Sequence, residues 1–172
     1  MRYVELRRHT DNDGDQLTEK GIADAEAIGR DAISPPYVAF VSTGAARATE
    51  MLGILRAAAG QAEVPITVET GLRSAFEDRW REVAKAAGKG ASLDDMRAVD
   101  ATFVDEESTA LGSALRRVID ALPENGRALV VGHSPTNEAA VRGLVGQTPS
   151  PMGKGQGAVV AEEHGQYRLL SL

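Results

Sequence analysis

Three short stretches carry residues able to hold a negatively charged group and react with it. They are Arg7-Arg8-His9, Ser42-Thr43-Gly44-Ala45-Ala46-Arg47 and Gly132-His133-Ser134-Pro135, each at the end of an apolar run. Arginine offers paired N–H donors that match phosphate oxygens. A neutral imidazole is a good nucleophile near pH 7 and can accept a phosphoryl group. The chain has three histidines, and two of them fall in these stretches. Alone, each stretch has an ordinary reading: a solvated Arg-His, a strand-ending Gly-His-Ser, or a helix cap with a surface arginine. The chemistry depends on whether the fold gathers them.

The elements around them alternate. RYVEL at 2–6 reads as a strand, and 18–32 as a helix with apolar positions at Ile22, Ala25, Ile28 and Ala32. The SPP at 34–36 stops that helix, and YVAFVS at 37–42 has the β-branched, apolar content of a buried strand. A helix is expected over 45–59 and a strand over 64–69. Residues 73–88 look helical, and glycines at 88–92 break that pattern. A strong helix is expected from Ser108 to Leu122, then a central strand at 127–133. The helix at 134–146 is expected to use Ser134 as its N-cap with Pro135 at the first helical position. GAVVAEE and YRLLSL, separated by a turn containing His164, read as an antiparallel hairpin.

Alternating strands and helices imply a mostly parallel sheet covered on both faces, with its ligand site beyond the carboxyl ends of the strands. All three stretches would then emerge at one edge. Arg8, Arg47, His9, His133 and two helix N-termini would converge there, all favouring an anion. The inferred ligand is a phosphoryl group. A histidine would accept it, the guanidiniums and second histidine would stabilise its charge, and water would release phosphate. A proton donor to the leaving oxygen is also expected.

Composition narrows the classes. The 172 residues read as one domain, 1–172, with the less regular 70–106 set apart as an insertion or cap segment. A net charge of −6 disfavours a general nucleic-acid binder, and the absence of cysteine excludes disulfides and thiolate chemistry. No apolar run approaches the roughly 18–20 residues of a membrane span, so a cytoplasmic location without membrane partners is the default expectation. Nothing in the sequence fixes an oligomeric state. A nucleotide-binding module is disfavoured because no strand leads into a glycine-rich phosphate loop.

At these residues the sequence resembles the histidine phosphatase superfamily over most of its length. LRRHT is similar to that family's strand-RHG element, with Thr10 in place of glycine. LTEKGIADA (17–25) resembles its LTxxGxxQA helix, and VSTGAARATEM (41–51) its SSPLxRAxxTA element. EESTALGSALRR (106–117) resembles GESxxxxxxR, and VVGHSPT (130–136) the second-histidine element. The resemblance implies an α/β fold of the phosphoglycerate mutase-like type: three layers, α/β/α, around a mostly parallel sheet. It makes His9 the phosphoryl-accepting nucleophile, Arg8 and Arg47 the phosphoryl-binding arginines and His133 the second histidine. It implies no metal and no organic cofactor. Thr10 and Ser134, beside the two histidines, are read as substrate contacts.

The departures are specific. Thr10 adds a side chain where glycine lets the backbone approach substrate, so a narrowed pocket is expected. Asn12 and Asp15 stand where relatives often carry Ser or Thr and Asn, and Asp11, Asp13 and Asp15 make the loop acidic. A Glu expected shortly after Leu72 is missing, because Arg73 and Ser74 follow. Glu77 is therefore the candidate proton donor, with Asp78 as the alternative. The reading is a phosphatase acting on a phosphomonoester, as in a small phosphorylated metabolite, or on a phosphohistidine protein. Arg73, Arg79, Trp80 and Arg81 could cap the pocket for a small substrate, or Trp80 could simply pack its helix on the sheet. The alternatives are an impaired member that only binds a phosphorylated ligand, and a mutase-type phosphotransferase.

Overall fold

The computed structural model describes residues 1–170. Strand β1 (Arg2–Arg8) leads into a short ribbon, β2 (Asn12–Asp13) and β3 (Gln16–Leu17), and then α1 (Glu19–Asp31). Next come β4 (Ala39–Ser42), α2 (Ala46–Ala58), β5 (Ile66–Val68) and a 3-10 turn at Thr70–Leu72. Helices α3 (Glu77–Ala87) and α4 (Leu93–Asp120) precede β6 (Arg127–Gly132) and α5 (Thr136–Val145), and β7 (Gly157–Glu163) and β8 (Gln166–Leu170) close the chain.

The main sheet runs β5-β4-β6-β1-β7-β8. Its first four strands are parallel, while β7 is antiparallel to both β1 and β8. This is the mostly parallel sheet with a C-terminal hairpin that the sequence implies. Ser171 and Leu172, assigned to that hairpin from the sequence, lie outside the described residues.

Alternation along the strands fixes the layers. Val4, Leu6, Val41 and Val130 pack with residues of α3, α4 and α5, including Trp80, Leu111, Leu115 and Val141. Phe40, Leu129 and Val131 face the other way and pack with Ala25, Met51, Leu52 and Leu55 of α1 and α2. The apolar runs at 37–42 and 127–133 are continuous because both faces of their strands are covered.

β1 departs from a purely apolar strand. Glu5 and Arg7 are both buried, and Arg7 Nε donates to Glu5 Oε1 at 2.7 Å. Tyr37 Oη donates to Glu5 Oε2 at 2.6 Å, and Arg7 also donates to the carbonyls of Gly155 and Ala32. The pair is thus matched on both sides, as burial of two charges requires. Of the two arginines before His9, Arg7 belongs to the structure.

Two helix boundaries differ from expectation. α4 begins at Leu93, not Ser108, and breaks its helical dihedrals at Asp100. Ser92 opens it with a reciprocal capping box to Asp95, and Asp100 caps a second segment by accepting the N–H of Phe103 at 3.1 Å. α5 begins at Thr136, with Pro135 rather than Ser134 at the cap position. The backbone closes that turn itself, His133 O accepting the N–H of Asn137 at 2.7 Å. The Ser134 hydroxyl is directed elsewhere, to Glu138 Oε1 at 2.6 Å.

Candidate active site

β1 and β6 run parallel with Arg8 opposite Gly132, so His9 and His133 leave the sheet side by side. The N–H of His9 donates to the Gly132 carbonyl at 3.0 Å, and the two rings meet edge-on with centroids 5.3 Å apart. On the other side of β6, Ser42 of β4 lies opposite Val131, which brings Thr43 and the first turn of α2 to the same edge.

The partners of each imidazole fix its tautomer. His9 Nδ1 lies 2.8 Å from the carbonyl oxygen of Thr10. A carbonyl only accepts, so Nδ1 carries the proton and Nε2 keeps its lone pair. Arg47 donates Nε–H to that Nε2 at 3.3 Å and Nη2–H to Nδ1 of His133 at 3.3 Å. Arginine only donates, so the proton of His133 sits on Nε2 and is given to Thr43 Oγ1 at 2.8 Å. Asn137 holds His133 from behind, its Oδ1 accepting the His133 N–H at 3.2 Å. A Cβ on Gly132 would lie 2.4 Å from that oxygen, which is why a glycine precedes His133.

Both imidazoles are neutral at pH 7. Burial lowers the pKa of His9 from its ordinary value; the Thr10 hydrogen bond opposes this, and the charges of Arg47 and Arg8 add to it. Burial is also the main cause at His133, helped by Arg47, and takes it down to about 3. Nε2 of His9 is therefore an unprotonated nucleophile facing a guanidinium, the arrangement that a phosphoryl transfer to histidine needs.

The other sequence candidates lie as follows. Arg8 is half-buried and donates Nη1–H to the carbonyl of Met152 at 2.9 Å, while its charge still acts on His9. Thr10 is buried and donates its hydroxyl to the Gly21 carbonyl at 2.7 Å, which braces the loop against α1. Ser134 donates its hydroxyl to Glu138 Oε1 and lines the same cavity as Arg47 and His133. Glu77 accepts from Arg73 Nε at 2.8 Å and lines a cavity of about 180 Å³ with Arg47, Ser74, Trp80 and His133. Asp78 lies outside that cavity, exposed and paired with Arg81. Trp80 is buried and packs edge-on against Phe103 of α4, with ring centroids 4.9 Å apart. A larger groove of about 1020 Å³, lined by Ile28, Pro149, Pro151 and Leu169, contains neither imidazole.

The acidic loop faces in at one residue. Asp15 accepts the N–H groups of Ala46 and Arg47 at 3.1 and 3.2 Å, and Nη1–H of Arg47 at 2.8 Å. Its partial burial would raise its pKa, but those N–H groups and the Arg47 guanidinium prevail and hold it below the usual carboxylate range. A carboxylate thus sits on the helix N-terminus and guanidinium that would receive an anion. Asp11, by contrast, pairs with Lys154.

Sequence reasoning missed Thr43, Asn137 and Glu138. Thr43 lay within a quoted element, and Asn137 stands four residues after His133, one helical turn on. Glu138 is buried with Oε2 unpaired, and burial raises its pKa. No pattern in the sequence marked it.

A family model described as the histidine phosphatase superfamily (branch 1) matches residues 3–161. No curated protein matches the chain. Among solved structures, a phosphoglycerate mutase from Bacillus anthracis is 19% identical with a TM-score of 0.75, over 99% of this chain and 92% of that one. A phosphoserine phosphatase from Entamoeba histolytica, in complex with phosphoserine, is 16% identical with a TM-score of 0.70, over 99% and 96% of the two chains. A mycobacterial glucosyl-3-phosphoglycerate phosphatase is 17% identical with a TM-score of 0.65, over 99% and 98%. At these identities the likeness speaks for the fold.

Proposed function

The chain belongs to the histidine phosphatase superfamily, and from that membership we propose that it hydrolyses a phosphorylated substrate through a phosphohistidine formed on His9. One observation carries the reading: Arg47 bridges the free Nε2 of His9 and Nδ1 of His133, at 3.3 Å to each. A phosphoryl group entering between them meets a nucleophile on one side and a delocalised cation on the other. Nε2 attacks phosphorus, the bond to the leaving oxygen breaks, and the guanidinium N–H groups turn from the imidazoles to the phosphoryl oxygens. His133 can offer a further hydrogen bond once protonated or rotated. Water then attacks phosphorus on the other face of the N–P bond, releasing inorganic phosphate and neutral His9. No step requires a metal ion or an organic cofactor.

The cavity of about 180 Å³ beside His133 suits the organic part of a small phosphorylated metabolite. Its walls combine Trp80 and Ala84 with Ser74 and Arg81. Relatives of this fold are described as acting on phosphoserine and glucosyl-3-phosphoglycerate, both small phosphomonoesters. We place the protein in the same compartment as soluble metabolites.

One observation favours the alternative of a ligand-binding member without turnover: Asp15 occupies the Arg47 guanidinium. Hydrolysis of p-nitrophenyl phosphate separates the two readings. The hydrolase reading expects turnover that disappears in His9→Ala. Wild-type activity no greater than that of His9→Ala would leave only ligand binding.

A further inference from the structure

We propose that Ser74 hands a proton to the leaving oxygen and that the buried Glu107 supplies it through the Ser74 hydroxyl. The proposal rests on the hydrolase reading above and answers a question that reading leaves open, namely where the proton comes from.

Ser74 occupies the stretch after Leu72 where the family resemblance leads one to expect a Glu. It lies between the 3-10 turn and α3 and lines the same cavity as Arg47 and His133. Its Oγ accepts the N–H of Phe76 at 2.9 Å and donates to Glu107 Oε1. Trp80 Nε1 donates to the same oxygen at 2.9 Å. Glu107 projects from α4, and only 9% of it is exposed. The missing carboxyl has thus not left the site. It stands one hydroxyl further back, on a different helix.

The neighbouring charges support this choice over Glu77. Glu77 is held by the Arg73 guanidinium at 2.8 Å. Among the described residues, no ion pair reaches Glu107. Among those residues, no cation therefore competes with the Ser74 hydroxyl for the Glu107 carboxyl.

The step balances. As Nε2 of His9 forms the N–P bond, the P–O bond to the leaving group breaks. The leaving oxygen takes the Ser74 hydroxyl proton, the Ser74–Glu107 hydrogen bond reverses, and Ser74 takes the carboxyl proton of Glu107, which becomes ionised. In the second half, a water molecule attacks phosphorus and gives its proton to Ser74 Oγ, while Ser74 returns its own to Glu107. The N–P bond then breaks, and phosphate leaves. Ser74 is the group that touches substrate; Glu107 acts through it.

Leaving-group chemistry tests the relay. A nitrophenolate departs without a proton, whereas an alkoxide needs one. Wild type, Ser74→Ala, Glu107→Gln and the double variant Ser74→Glu/Glu107→Gln are assayed on p-nitrophenyl phosphate and on glycerol phosphate. For glycerol phosphate, kcat should fall by about 100-fold or more in each single variant. For p-nitrophenyl phosphate the pre-steady-state burst of nitrophenolate, which precedes the water step that Ser74 and Glu107 also serve, should slow far less than the release of glycerol in a single turnover. The basic limb of the kcat profile on glycerol phosphate should also vanish, and the double variant should recover that substrate. A nitrophenolate burst slowed as much as glycerol release, or no loss on either substrate, would overturn the relay. Far-ultraviolet circular dichroism and denaturant melts report whether each variant is folded; were Glu107→Gln to unfold, Ser74→Ala decides alone. A wild type as inactive as His9→Ala would remove the hydrolase reading, and the relay with it.

Discussion

Arg47 donates its Nε–H to Nε2 of His9 at 3.3 Å, so cation and nucleophile touch before any substrate arrives. The same guanidinium reaches His133 and Asp15. One side chain therefore joins both imidazoles and the carboxylate of Asp15.

Removing it should cost anion binding. Arg47→Ala should weaken inhibition by vanadate or inorganic phosphate by about 2–3 kcal/mol, the range of a charge-assisted pair. Competitive inhibition measured on both proteins checks this. An unchanged inhibition constant would place Arg47 outside the phosphoryl site.

The pH dependence of kcat/KM should carry the mark of a depressed imidazole. His9 attacks only when neutral, and burial together with the Arg47 and Arg8 charges lowers its pKa below the ordinary 6.5. The neutral form therefore persists as pH falls through 6.5, and the acid limb should lie below that value. Arg47→Ala removes one of the lowering charges, so its acid limb should move upward. A wild-type limb at or above 6.5, or a variant limb that moves down, would contradict the assignment.

Asp15 should act as a competitor of the substrate. Asp15→Asn keeps an acceptor for the N–H groups of Ala46 and Arg47 but removes the charge that occupies the guanidinium. Vanadate should then bind more tightly, by about 1 kcal/mol at most, the scale of a solvent-screened ion pair. Titration of inhibition in both proteins measures this. Weaker binding in the variant would mean that Asp15 orders the pocket more than it blocks it.

The two arginines before His9 should separate cleanly. Arg7→Ala leaves Glu5 charged and unpaired in the core and should destabilise the fold by about 3–5 kcal/mol. Arg8→Ala should lower activity with a much smaller loss of stability. Denaturant melts and kcat/KM on both variants decide; an Arg8 variant less stable than the Arg7 variant would reverse the roles.

Much of this was legible in the sequence, and the reasons are physical. Strands covered on both faces must be apolar throughout, so 37–42 and 127–133 announce themselves. Parallel strands end at one edge, so His9, Arg47 and His133 could be gathered from order alone. The two-residue strands β2 and β3 carry no periodicity to read. The early start of α4 was hidden because Asp100 interrupts its pattern. The hydroxyl partners of Thr10 and Ser134 were not legible, because neither sequence position nor residue type says which way a short side chain turns. Their partners, Gly21 and Glu138, sit on helices that follow each loop. The acidity of the 11–15 loop was visible, but not that Asp15 alone faces Arg47. Glu107 lay inside a recognised element, yet only the packing of α3 on α4 brings it to Ser74.

The central claim is a covalent bond between phosphorus and Nε2 of His9. The direct measurement is intact-protein and peptide mass spectrometry of enzyme quenched in alkali during turnover of p-nitrophenyl phosphate. The account predicts one phosphoryl adduct, stable in alkali and labile in acid, on the peptide containing His9 and absent from His9→Ala. An enzyme that turns over with no adduct, or with the adduct on His133 or another residue, would contradict it.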